Sequence, residues 1–385
     1  MDQRTVQMLF TLLRSAIRGT KLTEKERKNY SPEMLSDLLK ISSKHDLAHL
    51  LVLGIKKNEL IVENSDIEKY IFKAVYRYER TKHEYENLCA ALEKAEISFI
   101  SLKGSVIRKY YPEAWMRTSC DIDVLVHRED LDKAVSYLTD NYKYVLKERG
   151  THDVSLYSPA GIHVELHFDL IEEGRAQSAI FTLQSVWENV SLHENSKYLY
   201  EMSDAFFYFY HIAHMAKHFE TGGCGIRPFI DLWILDNMDG ISHNERDALL
   251  SDGGLLQFAS VARKQSNVWF GEEEPDELSL QMENFILHGG VYGSIENRVI
   301  LQNKKKDGRL RYLVSRIFIP YHRLKRYYPV LEKHRWLTPF MQIRRWFMLF
   351  RPDVAKRTKT EIAVNLNVGK SNDDEMKTFI DNIGL

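Results

Sequence analysis

The stretch "SLKGSVIRKYYPEAWMRTSCDIDVLV", residues 101–126, fixes the reading of the chain. It opens on the end of "ISFISLKG", a short β-branched and aromatic run that closes on Gly104 and has the composition of a buried strand. "SVIRKYYPEAW" then reads as a short helix, capped at its start by Ser105 and ended by Pro112. "CDIDVLVH" is a second strand. Side chains alternate along a strand, so Asp121, Asp123 and Leu125 share one face while Ile122, Val124 and Val126 share the other. Two like charges placed this way repel and resist burial, and they become favourable once a divalent cation lies between them. A hard, oxygen-seeking ion such as Mg²⁺ or Mn²⁺, which binds through carboxylates together with substrate phosphates, suits the pair.

Working downstream, "REDLDKAVSYLTDN" is a helix with Leu131, Ala134, Val135 and Leu138 inward, and "YKYVLKERG", "DVSLYSPAG" and "IHVELHFDL" are three further strands. In the last of these His163, Glu165, His167 and Asp169 face one way and Val164, Leu166 and Phe168 the other. Glu165 is the natural third carboxylate. If its strand lies beside the first, it can act as general base on an attacking hydroxyl or complete a two-metal site. Gly104 and Ser105 precede a helix start, where free N–H groups favour a phosphate.

The strand and helix order predicts an α+β fold, a small mixed sheet over residues 96–175 flanked by helical regions. Residues 1–95 read as helices throughout, 176–303 as a second helical region, 304–359 as a basic helical segment and 360–385 as a tail with one short helix at most. The 385 residues carry 44% hydrophobic and 28% charged residues, enough for more than one core and against wholesale disorder. A net charge of −1 gives no global case for nucleic acid or membrane, but the sum hides the basic segment. Three dispersed cysteines, no signal peptide and no apolar run long enough to span a bilayer predict a cytoplasmic protein. Cys120 reads as a packing residue, with no base beside it.

The combination of "LKGS", "CDIDVLV" and "HVELHFD" resembles the nucleotidyltransferase superfamily of the DNA polymerase beta type. The wider pattern of "YYPEAWMRTSCDIDVLV", "SPAGIHVELH", "HIAHMAKHF", "GIRPFIDLWIL" and "YHRLKRYYP" is similar to one bacterial branch, the uncharacterised nucleotidyltransferases, over roughly residues 1–350. That resemblance implies an enzyme that moves a nucleoside monophosphate from an NTP, ATP first, to an acceptor hydroxyl and releases pyrophosphate. It implies Asp121, Asp123 and Glu165 as catalytic and metal-holding residues, and Gly104, Ser105, Lys103 and Arg117 on the nucleotide side. The third acidic position departs from the more usual aspartate, and either carboxylate can serve.

Several neighbouring residues keep more than one reading. Lys103 and Arg117 can neutralise triphosphate charge or form structural ion pairs with the carboxylates. His211, His214 and His218 share a helical face that can hold zinc, line an acceptor or nucleotide pocket with His167 and Arg227, or pack as neutral imidazoles. Arg227 and Asp231 can pair with each other or reach the same cleft. The basic 304–359 segment, rich in Tyr, Trp and Phe, can bind RNA, dock on an anionic membrane surface, or serve as a solvated cap. No obligate protein partner is expected. The acceptor stays open between a small molecule and a tRNA or protein modified in a toxin-like reaction, and a non-catalytic nucleotide-binding factor in cell-surface polysaccharide assembly is the rival from another class.

Overall fold

The computed structural model describes residues 2–62, 65–170, 177–291, 293–305, 318–321, 324–325, 328, 330–348 and 370–385. Two compact units appear, one of residues 1–217 with 225–283 and one of residues 218–224 with 284–385.

The first unit starts with the helices Gln3–Arg18, Leu35–Lys44, Ala48–Lys57 and Lys69–Lys94. Asp2 caps the first by accepting from the N–H groups of Arg4 and Thr5, and the stripe of Leu9, Leu12 and Leu13 is fully buried. The Ala48–Lys57 helix crosses the first at Gly54, where an added Cβ would lie 2.3 Å from the Leu12 carbonyl oxygen, so no larger residue permits the approach.

Seven strands follow: β1 (Phe99–Ser101), β2 (Asp121–Val126), β3 (Val145–Arg149), β4 (Asp153–Tyr157), β5 (His163–His167), β6 (Val190–Leu192) and β7 (Leu199–Met202). Their spatial order is β3-β4-β5-β2-β1-β7-β6, with β2–β5 and β1–β7 parallel and the other pairs antiparallel. On one face Ile122, Val124 and Val126 of β2 and Val164 and Leu166 of β5 pack with Leu88 and Leu92 of the Lys69–Lys94 helix and with Ala134 and Leu138 of the Leu131–Tyr142 helix. The apolar alternation of β2 and β5 is thereby consumed by one side of the sheet. Their acidic and histidine positions are forced to the other.

Two features differ from the sequence reading. Strands β6 and β7 lie where helix was expected. They have three and four residues, too few for an alternating pattern to show. The helix after β1 is a single turn, Gly104–Ile107, continued by a 3₁₀ turn at Arg108–Tyr110. Ser105 does not cap it: the cap position is Lys103, no side chain caps the turn, and the Ser105 N–H bonds the Leu102 carbonyl at 3.2 Å.

In the second unit the ring of Phe285 packs between Phe219 and Phe379 at 5.4 and 5.2 Å. The C-terminal residues form a 13-residue helix, Lys370–Asn382, with Phe379, Ile380 and Ile383 buried at its end, a fuller element than the expected tail. Of the basic segment, Lys306, Arg309, Arg311, Arg316, Arg323, Arg326 and Tyr327 lie outside the described residues. Among the described residues no helix is long and apolar enough to cross a membrane.

Candidate active site

Parallel pairing of β2 with β5 sets Asp121 beside His163, Asp123 beside Glu165 and Leu125 beside His167. The ligand atoms of Asp121, His163 and Glu165 lie within 4.8 Å of one another, and so do those of Asp123, Glu165 and His167. The three expected carboxylates therefore meet, with Glu165 shared between two groups.

The two aspartates of this cradle have opposite surroundings. Asp123 is 4% exposed and accepts from the Lys103 ammonium at 2.9 Å and from His167 Nε2 at 2.9 Å. Burial would raise its pKa, but Lys103 and His167 outweigh that and hold the carboxyl far below its ordinary value. The same contacts raise Lys103 and His167 against their own burial, and His167 Nε2 also lies 3.2 Å from Glu165 Oε2. Asp121 has no donor to its side chain among the described residues, and burial together with the charge on Asp123 raises its pKa above 3.8. His167, expected in an open substrate pocket, is 2% exposed and joins the carboxylates.

Lys103 reaches Asp123 from a backbone at φ 47° and ψ −120°, a region that favours glycine. The peptide after it, Gly104, takes ordinary helical geometry, and an added Cβ there would meet the Ser119 Cβ at 3.3 Å. Arg108, which spacing alone did not single out, locks this turn to the entry of β2. Its Nε donates to the Gly104 carbonyl at 2.7 Å and its Nη2 to Ser119 Oγ at 2.7 Å, while burial and then Arg117 lower its pKa to about 10.

Arg117 is not directed at the cradle. Its guanidinium pairs with Asp231 through Nε and Nη2, both 2.7 Å, and Tyr111 donates to the same carboxylate at 2.6 Å. Arg227, expected with Asp231 or in the cleft, pairs instead with Asp46, which also accepts from Arg77 at 2.9 and 3.1 Å and from Thr118 Oγ1 at 2.9 Å. His49 Nε2 donates to the Met116 carbonyl at 2.8 Å. Met116, Arg117 and Thr118 are thus each gripped, five residues or fewer before Asp121 begins β2. Arg77 and His49 come from the N-terminal helices and Asp46 from the turn between Leu35–Lys44 and Ala48–Lys57, and single polar residues there carry no sign of this in the sequence.

The histidine face does not form a metal group among the described residues. His211 Nε2 donates to the Pro228 carbonyl at 3.0 Å, and the His214 ring lies 6.1 Å from that of Tyr210. His218 falls in the second unit. Tyr210, on the same helix, lies close enough to Lys103, Asp123 and Glu165 for all three charges to act on its hydroxyl, whose pKa burial raises first.

A family described as uncharacterised nucleotidyltransferases matches residues 31–271, more than half of the chain. The chain belongs to that family. No curated protein and no solved structure matches it. The matched span holds the whole cradle, the Lys103 turn and the gripped segment before β2, and the family's description gives nucleotidyl transfer as the class of chemistry. The donor set fits a divalent cation: three carboxylates converge, and Asp121 is held with a raised pKa and no neutralising donor, the charge imbalance that a cation corrects. His163 adds a nitrogen donor beside the oxygens of Asp121 and Glu165, a mixture that admits Mn²⁺ as well as Mg²⁺.

Proposed function

We propose that the protein is a Mg²⁺- or Mn²⁺-dependent nucleotidyltransferase that transfers a nucleoside monophosphate from an NTP, ATP first, to an acceptor hydroxyl. The observation that carries the reading is the side-by-side pairing of Asp123 and Glu165 on parallel strands with Asp121 in the same cluster. Asp121, Asp123 and Glu165 would hold the metal, which when bound supplies neutralisation of charge on the phosphates.

Gly104 and Ser105 sit on the first helical turn after β1 and would face the β and γ phosphates, with the Lys103 ammonium adding positive charge. Glu165 orients the acceptor hydroxyl and takes its proton. The hydroxyl oxygen forms a bond to the α-phosphorus as the bond from that phosphorus to the β-bridging oxygen breaks, and pyrophosphate leaves with the electron pair. Catalysis of this kind is positioning and charge neutralisation. Arg117 and Arg227 act at a distance, by fixing the segment that delivers Asp121 to the cluster. Three free cysteines support a reducing, cytoplasmic setting.

The test is incubation of the protein with each of the four α-labelled NTPs and Mg²⁺ or Mn²⁺ in cell extract, followed by separation of RNA, protein and small molecules. Label enters one fraction with the wild-type chain and none with Asp121→Asn. Absence of transfer from all four NTPs by folded protein overturns the proposal.

A further inference from the structure

In the second unit the helix Thr338–Met348 and the 3₁₀ turn before it, Arg335–Leu337, present an apolar stripe that nothing described covers. Trp336, Phe340, Ile343 and Phe347 are spaced by four, three and four residues, which sets them on one helical face, and they are 69%, 59%, 45% and 71% exposed. The opposite side is docked: Gln342 is buried and donates to the Ile319 carbonyl, and the Trp346 ring meets that of Phe318 at 5.5 Å. The helix is thus held by its back, with its most apolar face outward. Contiguous exposed apolar surface of this kind marks an interaction site.

Charge decides among the occupants. From Lys333 to Met348 the chain has Lys333, Arg335, Arg344 and Arg345 and no acidic residue. A second copy docking stripe to stripe would bring Lys333, Arg335 and Arg344 of the two copies together, with no acid between Lys333 and Met348 to offset them. A nucleic-acid platform interleaves cations among stacking rings, whereas here Arg344 borders an unbroken apolar line that includes an aliphatic residue. That arrangement is the one an amphipathic helix uses to lie in the plane of a lipid interface, with rings and aliphatic groups in the acyl boundary and arginines at anionic headgroups. Eleven residues rise only about 16 Å, too short for a bilayer core of roughly 30 Å, so the helix lies on the membrane and does not cross it.

We propose that this face docks the protein on an anionic membrane surface. The inference stands apart from nucleotidyl transfer, since no residue of the cradle takes part. The experiment is flotation of the full chain with vesicles of phosphatidylcholine alone and with vesicles containing about one third phosphatidylglycerol. The chain floats with the anionic vesicles and at least tenfold less with the neutral ones. The double variant Phe340→Ser with Phe347→Ser lowers partition at least tenfold, Phe340→Leu with Phe347→Leu restores it, and Arg344→Ser lowers it roughly fivefold. The Phe340 and Phe347 variants keep the wild-type thermal transition, because those side chains face solvent.

Four outcomes overturn the proposal: no flotation with anionic vesicles, equal flotation with neutral ones, flotation indifferent to the serine pair, or a serine pair that instead abolishes a dimer in sedimentation or the binding of a single-stranded RNA oligonucleotide.

Discussion

Two sets of buried and half-buried carboxylates lie in the same unit of this protein and differ in how their charge is met. In the cluster before β2, Asp231 and Asp46 are saturated: arginines and hydroxyls supply every donor they need, and both have pKa values held below the ordinary aspartate value in spite of burial. In the cradle, Asp123 has Lys103 and His167, but Asp121 has burial and a second carboxylate against it and no donor among the described residues. The first arrangement is complete as folded. The second leaves Asp121 without a donor among the described residues. A buried ion pair by itself marks scaffold as readily as site, and what separates the two is the sign of the residual charge.

The widest break in this comparison comes from activity. Asp121→Asn, Asp123→Asn and Glu165→Gln are each expected to lower nucleotidyl transfer on the order of a thousandfold, read as label transferred per folded molecule. Loss of the scaffold pair acts on a different quantity. Asp231→Ala strands the Arg117 guanidinium, whose side chain is 11% exposed, and costs about 3–5 kcal/mol of stability by denaturant titration. Transfer per folded molecule should survive that change far better than it survives Asp121→Asn. Equal loss of transfer in both variants would erase the distinction between the two clusters.

Metal sharpens it further. A cation that binds only the folded cradle raises stability by about 2.7 kcal/mol when present at 100 times its dissociation constant. Mg²⁺ or Mn²⁺ should therefore raise the midpoint of thermal unfolding of the wild type and of Asp231→Asn, and leave that of Asp121→Asn unmoved. Acid should act on the two clusters with opposite sign. Asp121, an acid whose folded pKa is raised above 3.8, costs the metal-free fold nothing below pH 3.8 and takes on its cost as pH rises through the higher folded value. Asp231, whose folded pKa is lowered, gives its full stabilisation above pH 3.8 and loses it as pH falls through the lower value. In metal-free protein Asp121→Asn is thus expected to gain stability relative to wild type toward neutral pH, and Asp231→Asn to lose most there, with the two differences shrinking below pH 3.8 in thermal scans across pH.

How much of this contrast could be read in the sequence follows from where its parts lie along the chain. The cradle was legible because alternation within β2 and within β5 fixes which residues share a face, and the apolar partners Ile122, Val124, Val164 and Leu166 leave no second choice. The parallel register that sets Asp123 against Glu165 does not follow from that burial, because a two-residue slip keeps the same faces; it is seen only in the fold. The Asp231 and Asp46 cluster was not legible, because its pairs join residues 114 and 181 positions apart and no local period reports on such contacts. Arg117 and Arg227 were accordingly assigned toward the nucleotide and its pocket, when their nearest anions are scaffold aspartates. Lys103 pairs with Asp123, one of the two readings open to it in the sequence, but its backbone geometry has no signal in a lysine.

That geometry supplies the smallest expected effect. At φ 47° and ψ −120° a β-carbon is unfavourable, and of order 1 kcal/mol is stored at a residue whose ammonium neutralises Asp123. Lys103→Ala and Lys103→Gly both remove the ammonium, so both should lower transfer to the same extent. They differ only in the β-carbon, and Lys103→Gly should be the more stable of the two by about 1 kcal/mol in denaturant titration. An alanine variant as stable as the glycine one would mean that the turn relaxes freely. The strained lysine would then have to be explained by its contact with Asp123 alone, and the turn would lose its claim to be preset for a phosphate.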